Sequence, residues 1–164
     1  HCLGEHGVMG KIPSELYPEL MEIPVLIRDP EGVGAGEVVD EFGYQLDLIS
    51  TMFARIGLEP AQPLDGIDLA PIISGETGGR PYVTSAFKDF CWVRDERFGF
   101  WCHYSGERPM LYDFDSDPEC LINIAEKLPD QVKRLYGFAL EDAGGDLPIY
   151  DGMRTTFADG SDER

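Results

Sequence analysis

Histidine, glutamate and lysine side chains are gathered at the start of the chain, in His1-Cys2-Leu3-Gly4-Glu5-His6-Gly7-Val8-Met9-Gly10-Lys11. His6 has the chemistry for acid–base work. Neutral, it accepts a proton or a hydrogen bond; protonated, it donates to an oxygen. It is equally suited to holding a loop in shape. Glu5 is better placed to tie the loop together through backbone N–H groups than to act as a base. His1 is expected at a pocket mouth or as a disordered terminal residue. Gly4, Gly7 and Gly10 allow tight or left-handed turns and close backbone approach to a ligand. No helix or strand period covers the stretch, so a loop is expected, and such loops often carry function. A site loop at the first residue suggests the back part of something larger.

His1, Glu5 and His6 resemble the H-x-x-E-H zinc pattern, but one extra residue separates the first His from the Glu. No helix brings both imidazoles to one face, so zinc is rejected. His103 alternates with Cys102 and Tyr104 in a candidate strand and is expected to be packed or solvent-facing. Phe90, Trp92, Phe98, Phe100 and Trp101 suggest a sugar-binding face or, more commonly, the core of a small sheet.

The elements that must position these groups change character along the chain. Pro13-Ser14-Glu15-Leu16-Tyr17 has the form of a helix start, kept short by Pro18 and Pro24. Ile23 to Ile27 is an apolar run expected as a buried strand, ending in a turn at Asp29-Pro30-Glu31-Gly32. Gly32, Gly34 and Gly36 imitate a nucleotide fingerprint, but the spacing is wrong and no helix opens there, so a surface loop is expected. Val38-Val39 is a candidate short strand. Asp47 is expected to cap a helix to about Ile56, stopped by Gly57, with Leu48, Met52 and Ile56 on one face. Asp65-Gly66 marks a turn, and Asp68 caps a short helical turn from Leu69 to Ile73. Thr77 to Pro81 forms a joint.

Beyond the joint the period becomes alternating. Tyr82–Ser85, Phe90–Arg94, Phe98–Tyr104 and Met110–Phe114 are four candidate strands of one antiparallel sheet. A turn at Glu96-Arg97 sets Cys91 opposite Cys102. They can bridge, but two buried free thiols are the expected state. Asp130 to Glu141 is an amphipathic helix with Val132, Leu135, Tyr136 and Ala139 on one face. Residues 144–164 are expected to form a flexible tail.

The 164 residues are 43% hydrophobic and 27% charged, as in an ordinary globular protein. A formal net charge of −18 argues against nucleic-acid or anionic-membrane partners. No apolar run approaches membrane-spanning length.

Several pieces fall in a familiar order. Leu3-Gly4-Glu5-His6-Gly7 with Lys11 resembles the sulfatase loop that follows an Asp-His-Gly metal-binding triplet. Glu22 to Pro30 is similar to the strand segment after the lysine in those proteins. Asp65-Gly66-Ile67-Asp68-Leu69 is similar to their Asp-Gly-x-Ser-Leu turn. Leu111-Tyr112-Asp113-Phe114, Asp117-Pro118-Glu119 and Asn123-Ile124-Ala125 resemble their Leu-Tyr-Asp-Leu, Asp-Pro-x-Glu and Asn-Leu-Ala series. The match runs over residues 1–125, and order and spacing together make it specific.

The resemblance to sulfatases, in the alkaline phosphatase superfamily, implies an α/β fold. Residues 1–76 would be the end of an alkaline-phosphatase-like α/β catalytic domain. Residues 77–143 would be a small four-stranded antiparallel sheet with a C-terminal helix. It implies Lys11 as the cation that contacts substrate sulfate, with His6 as a second candidate. It also implies a parent with a divalent metal, calcium, and a formylglycine nucleophile in Cys-x-Pro-Ser-Arg. None of the four cysteines here is followed by x-Pro. The Asp-His metal pair would lie just before His1, so no metal ligand is expected in this chain. The implied parent hydrolyses sulfate esters of small molecules or glycans, and this piece alone would be inactive. A phosphonate monoester or phosphodiester hydrolase of the same superfamily is the alternative. A non-catalytic acidic interaction module is the rival of another class. A piece of this kind should expose apolar faces at residues 16–27 and 45–57.

Overall fold

The computed structural model of the chain describes residues 1–147. Most of the expected tail, 148–164, lies outside the described residues. Residues 1–24 and 84–147 form one compact unit and residues 25–83 another.

The first unit is built on a four-stranded antiparallel sheet. Its strands are β3 (Tyr82–Phe87), β4 (Phe90–Asp95), β5 (Phe98–His103) and β6 (Met110–Asp113), hydrogen-bonded in that order. The β4–β5 turn falls at Glu96-Arg97 and pairs Cys91 with Cys102 as expected. Asp95 shapes that turn by accepting the Arg97 and Phe98 N–H groups at 2.9 and 2.6 Å. A strand half-covered by a core would bury alternate residues. All six residues of β5 are buried instead, because both faces are covered.

On one face lies α4 (Pro129–Asp142), whose Leu135 and Ala139 pack on Cys91, Val93, Phe100, Cys102 and Leu111. Each large apolar side chain sealed there contributes about 1.5–3 kcal/mol. The Tyr136 hydroxyl donates to the Tyr104 carbonyl at 2.6 Å and Arg134 pairs with Asp95 at 2.5 Å, which fixes the helix on the sheet.

On the other face lies the segment Ile12–Tyr17. It was expected to start a helix and does not. The helix α1 is only Pro18–Met21. The cause is local. In a helix begun at Pro13, the Ser14 carbonyl would need the N–H of residue 18, which Pro18 lacks. The indole N–H of Trp101 donates to that carbonyl instead, at 3.0 Å. Leu16 and Tyr17 are thereby pressed onto the sheet and buried.

The second unit contains α2 (Gln45–Ile56) and α3 (Ala70–Ile73). Gly57 ends α2 in the left-handed conformation, as expected. Asp68 accepts the Ala70 N–H at 2.9 Å, but the N-cap of α3 is the next residue, Leu69. Asp47 is not the N-cap of α2 but its third residue, reaching back to the Tyr44 N–H at 2.6 Å.

Two expected strands are absent. Ile23–Ile27 is irregular, with Leu26 97% exposed, and Val38-Val39 is likewise exposed and irregular. Among the described residues neither finds a partner strand, and Pro24 removes one ladder donor from the first. The apolar residues Leu46, Ile49, Met52 and Ile56 of α2 are exposed, as the sequence led us to expect for that segment.

Candidate functional site

The first eleven residues fold as a miniature hairpin. β1 (Cys2–Leu3) pairs antiparallel with β2 (Met9–Gly10), in the register Cys2↔Gly10 and Leu3↔Met9. Between them Glu5–Gly7 form a 3-10 turn. Backbone bonds from Gly4 N–H to the Val8 carbonyl (3.0 Å) and from Val8 N–H to the Glu5 carbonyl (2.9 Å) close the tip. Gly4, Gly7 and Gly10 all have positive φ, where a Cβ is strained. Glu5 accepts the Leu3 N–H at 2.5 Å. That bond holds its carboxyl below the usual carboxylate range, so it ties the loop as expected.

The register separates the two site candidates. His6 lies at the closed tip, whereas His1 and Lys11 leave the hairpin together at its open end. Lys11 is exposed, and among the described residues it has no ion-pair or hydrogen-bond partner. His6 is placed quite differently. Its side chain is only 9% exposed, its Nε2 is 3.5 Å from Glu19 Oε1, and its ring lies flat on Tyr17.

The other histidine is structural. His103 is buried, with Nδ1 2.8 Å from Ser105 Oγ and Nε2 3.7 Å from Asp89. The aromatic residues of β4 and β5 are buried packing rather than an open sugar face. All four cysteines are free and buried, with Cys91 Sγ and Cys102 Sγ 3.6 Å apart.

Among the described residues no group of three or more His, Cys, Asp or Glu side chains converges as a metal site. By themselves these residues do not supply the ligand set of the divalent metal that the sulfatase resemblance implies. No helix among the described residues is long and apolar enough to cross a membrane.

The residues that carry the resemblance near the end of the chain turn out to build the fold. Asp113 takes the Arg97 guanidinium at 3.1 and 2.6 Å. Asp117 accepts the Leu121 and Ile122 N–H groups at 3.0 and 2.8 Å. Asn123 Oδ1 accepts those of Leu111 and Ala125, both at 3.0 Å.

No family model matches the chain. It is 25% identical over 154 residues to arylsulfatase K of Xenopus laevis, covering 80% of this chain and 28% of that protein. It is 24% identical over 149 residues to the multifunctional alkaline phosphatase superfamily protein PehA of Trinickia caryophylli, covering 75% and 28%. The phosphonate monoester hydrolase of Agrobacterium radiobacter superposes with a TM-score of 0.58 at 25% identity, over 80% of this chain and 31% of that one. The chain is thus similar in sequence to sulfatases and to other proteins of the alkaline phosphatase superfamily, and similar in fold to a phosphonate monoester hydrolase. It spans less than a third of the length of each of these relatives.

In this sulfatase-like chain the sequence led to the loop but not to what supports it. Tyr17, Glu19 and Tyr112 were not singled out as site residues, and Trp101 only as part of a sugar-binding face or a sheet core. The available signal was Pro18, which denies the Ser14 carbonyl a helical partner and leaves Tyr17 free to lie on the sheet.

Proposed function

We propose that the chain is the C-terminal portion of a metal-dependent hydrolase that cleaves sulfate esters, with Lys11 as the sulfate-contacting cation. Cleavage of such an ester moves a charged sulfuryl group and builds negative charge on the leaving oxygen. A fixed ammonium beside that group stabilises the transition state most where water is excluded. The observation that carries the proposal is the exposed Lys11, without a partner among the described residues, at the open end of a glycine-shaped hairpin, in a chain similar to an arylsulfatase.

In this proposal residues 1–76 end the catalytic domain and residues 77–143 are the C-terminal subdomain. The nucleophile (formylglycine) and the metal ligands, for calcium, are supplied by the parent upstream. The substrate is a small-molecule or glycan sulfate ester, and the 164 residues alone are inactive. The exposed apolar side chains of α2 support a larger parent. A second proposal, a phosphonate monoester or phosphodiester hydrolase, is favoured by the superposition on the Agrobacterium radiobacter enzyme. It would use the same lysine.

The test is the coding DNA upstream of His1. An open frame running through Asp-His-Gly and, further back, Cys-x-Pro-Ser-Arg supports the proposal. A stop codon followed by a start at this chain overturns it in favour of a non-catalytic module.

A further inference from the structure

We infer that Tyr17 is a positioning residue for the hairpin that carries Lys11, with the His6 imidazole as the part it holds and Glu19 as the clamp on Nε2. This rests on the proposed role of Lys11. His6 was a candidate for substrate chemistry, but its placement points elsewhere.

His6 has φ +55, in the left-handed region that few non-glycine residues adopt. What holds it is the ring of Tyr17. The two ring centroids are 3.7 Å apart and the planes differ by 7°. Nε2, the ring atom furthest from the backbone, points at Glu19 rather than into an open space.

Tyr17 in turn is fixed on every side. Its ring stands edge-on to Trp101, with centroids 5.1 Å apart at 78°, and Trp101 is stacked on Tyr112. The Tyr17 ring also meets the ring of Tyr112, with centroids 6.1 Å apart at 55°. The carbonyl of Ser14, three residues earlier, is held by Trp101. A continuous packed path therefore runs from β5 and β6 through Tyr17 to His6 and the hairpin tip. The hairpin ladder then sets where Lys11 emerges. Rigid support of this kind decides whether a charged group sits within useful distance of its target.

The test has two arms. In the first, the histidine ring and loop amide resonances of the 164-residue chain are recorded by NMR. The stack places the His6 ring protons over Tyr17, so they should be shifted upfield. Tyr17→Phe, which keeps the ring, should retain that shift and the amide positions of Gly4 to Lys11. Tyr17→Leu should lose both. His6→Ala, which leaves the sheet face intact, should move the same loop amides even if Tyr17→Leu fails to fold. An unshifted His6 ring, or loop amides unmoved in His6→Ala, overturns the inference.

The second arm measures kcat/KM for an aryl sulfate and a phosphonate monoester in the full-length hydrolase. His6→Ala and Tyr17→Leu should each lower it about two- to tenfold, the size of an aromatic pair converted to rate. The double variant should be no worse than the weaker single, because the two rings act as one unit. Additive losses overturn the inference. If Lys11→Ala leaves hydrolysis unchanged, the proposed function fails, while the ring shift still reports on the stack.

Discussion

The Asp47 carboxylate is fully buried and receives the Arg80 guanidinium through two parallel bonds, at 2.7 and 2.8 Å. The same carboxylate accepts the N–H groups of Tyr44 and Ile67 at 2.6 and 2.9 Å. One side chain thus gathers the start of α2, the Asp65-Gly66 turn and the joint before the sheet. Thr51 extends the hub by accepting the Leu69 N–H at 2.9 Å.

Removing the cation should be costly. Arg80→Met leaves a buried carboxylate without its counter-charge, a loss of about 3–5 kcal/mol. Urea unfolding followed by circular dichroism would measure it. A loss below about 1 kcal/mol would mean that the two backbone N–H groups suffice.

The same hub gives a pH signature. Burial alone would raise the Asp47 pKa, but Arg80 and the two N–H donors outweigh it and hold it below the usual carboxylate range. Its unfolded value is about 3.9. The stabilisation is therefore complete above about pH 4 and is lost as pH falls through the lower folded value. The stability difference between the wild type and Asp47→Asn should be constant from pH 5 to 7 and shrink on acidification. A difference that grows towards acid pH would contradict the assignment.

Gly66 tests the packing of that turn. A Cβ there would lie 2.5 Å from the Leu46 carbonyl oxygen and 2.7 Å from Ser50 Oγ. Gly66→Ala must push the turn away from α2 and should destabilise the protein by about 1–3 kcal/mol. Gly57→Ala is strained by its positive φ instead, with open space around the added methyl. The contrast is measurable by thermal unfolding in salt-matched buffers, with the Gly66 site disturbing the Ile67 and Leu69 amides.

The thiols give a simpler expectation. Burial, with help from nearby acidic groups, pushes the Cys2 thiol up and that of Cys120 to about 12. Contact with Cys91, together with burial, holds Cys102 well above the ordinary thiol range. Unreactive thiols are expected. A disulfide-exchange reagent at pH 8 should label the native chain slowly and all four cysteines rapidly in denaturant. Rapid labelling of the folded chain would contradict the buried placement.

Much of the sheet was legible because its signals are local. The alternation, the two-residue turn at Glu96-Arg97 and the 3.6-residue period of α4 all lie within short windows. The Cys91–Cys102 register followed from the turn alone. The failures came where the deciding partner is distant in sequence. Pro18 denies the Ser14 carbonyl a helical partner, but the group that takes it and sets the segment on the sheet is Trp101, 87 residues away. Asp47 looked like a cap and is a hub because of Arg80, 33 residues away. Ile23–Ile27 reads as a buried strand by composition, but a strand exists only where a neighbour pairs with it. At the candidate site the residue types of the loop were visible, while the platform under His6 was not. Tyr17, Trp101 and Tyr112 come together only once the N-terminal segment folds onto the sheet.

The central claim is that Lys11 contacts the transferred group in a sulfate- or phosphonate-ester hydrolase. The most direct measurement is kcat/KM of the full-length protein carrying Lys11→Ala, with an aryl sulfate and a phosphonate monoester as substrates. Loss of about 100- to 1,000-fold in kcat with unchanged thermal stability is expected, as for removal of a charge-stabilising group at a reacting oxygen. Hydrolysis at the wild-type rate would contradict the claim and leave Lys11 as an ordinary surface lysine.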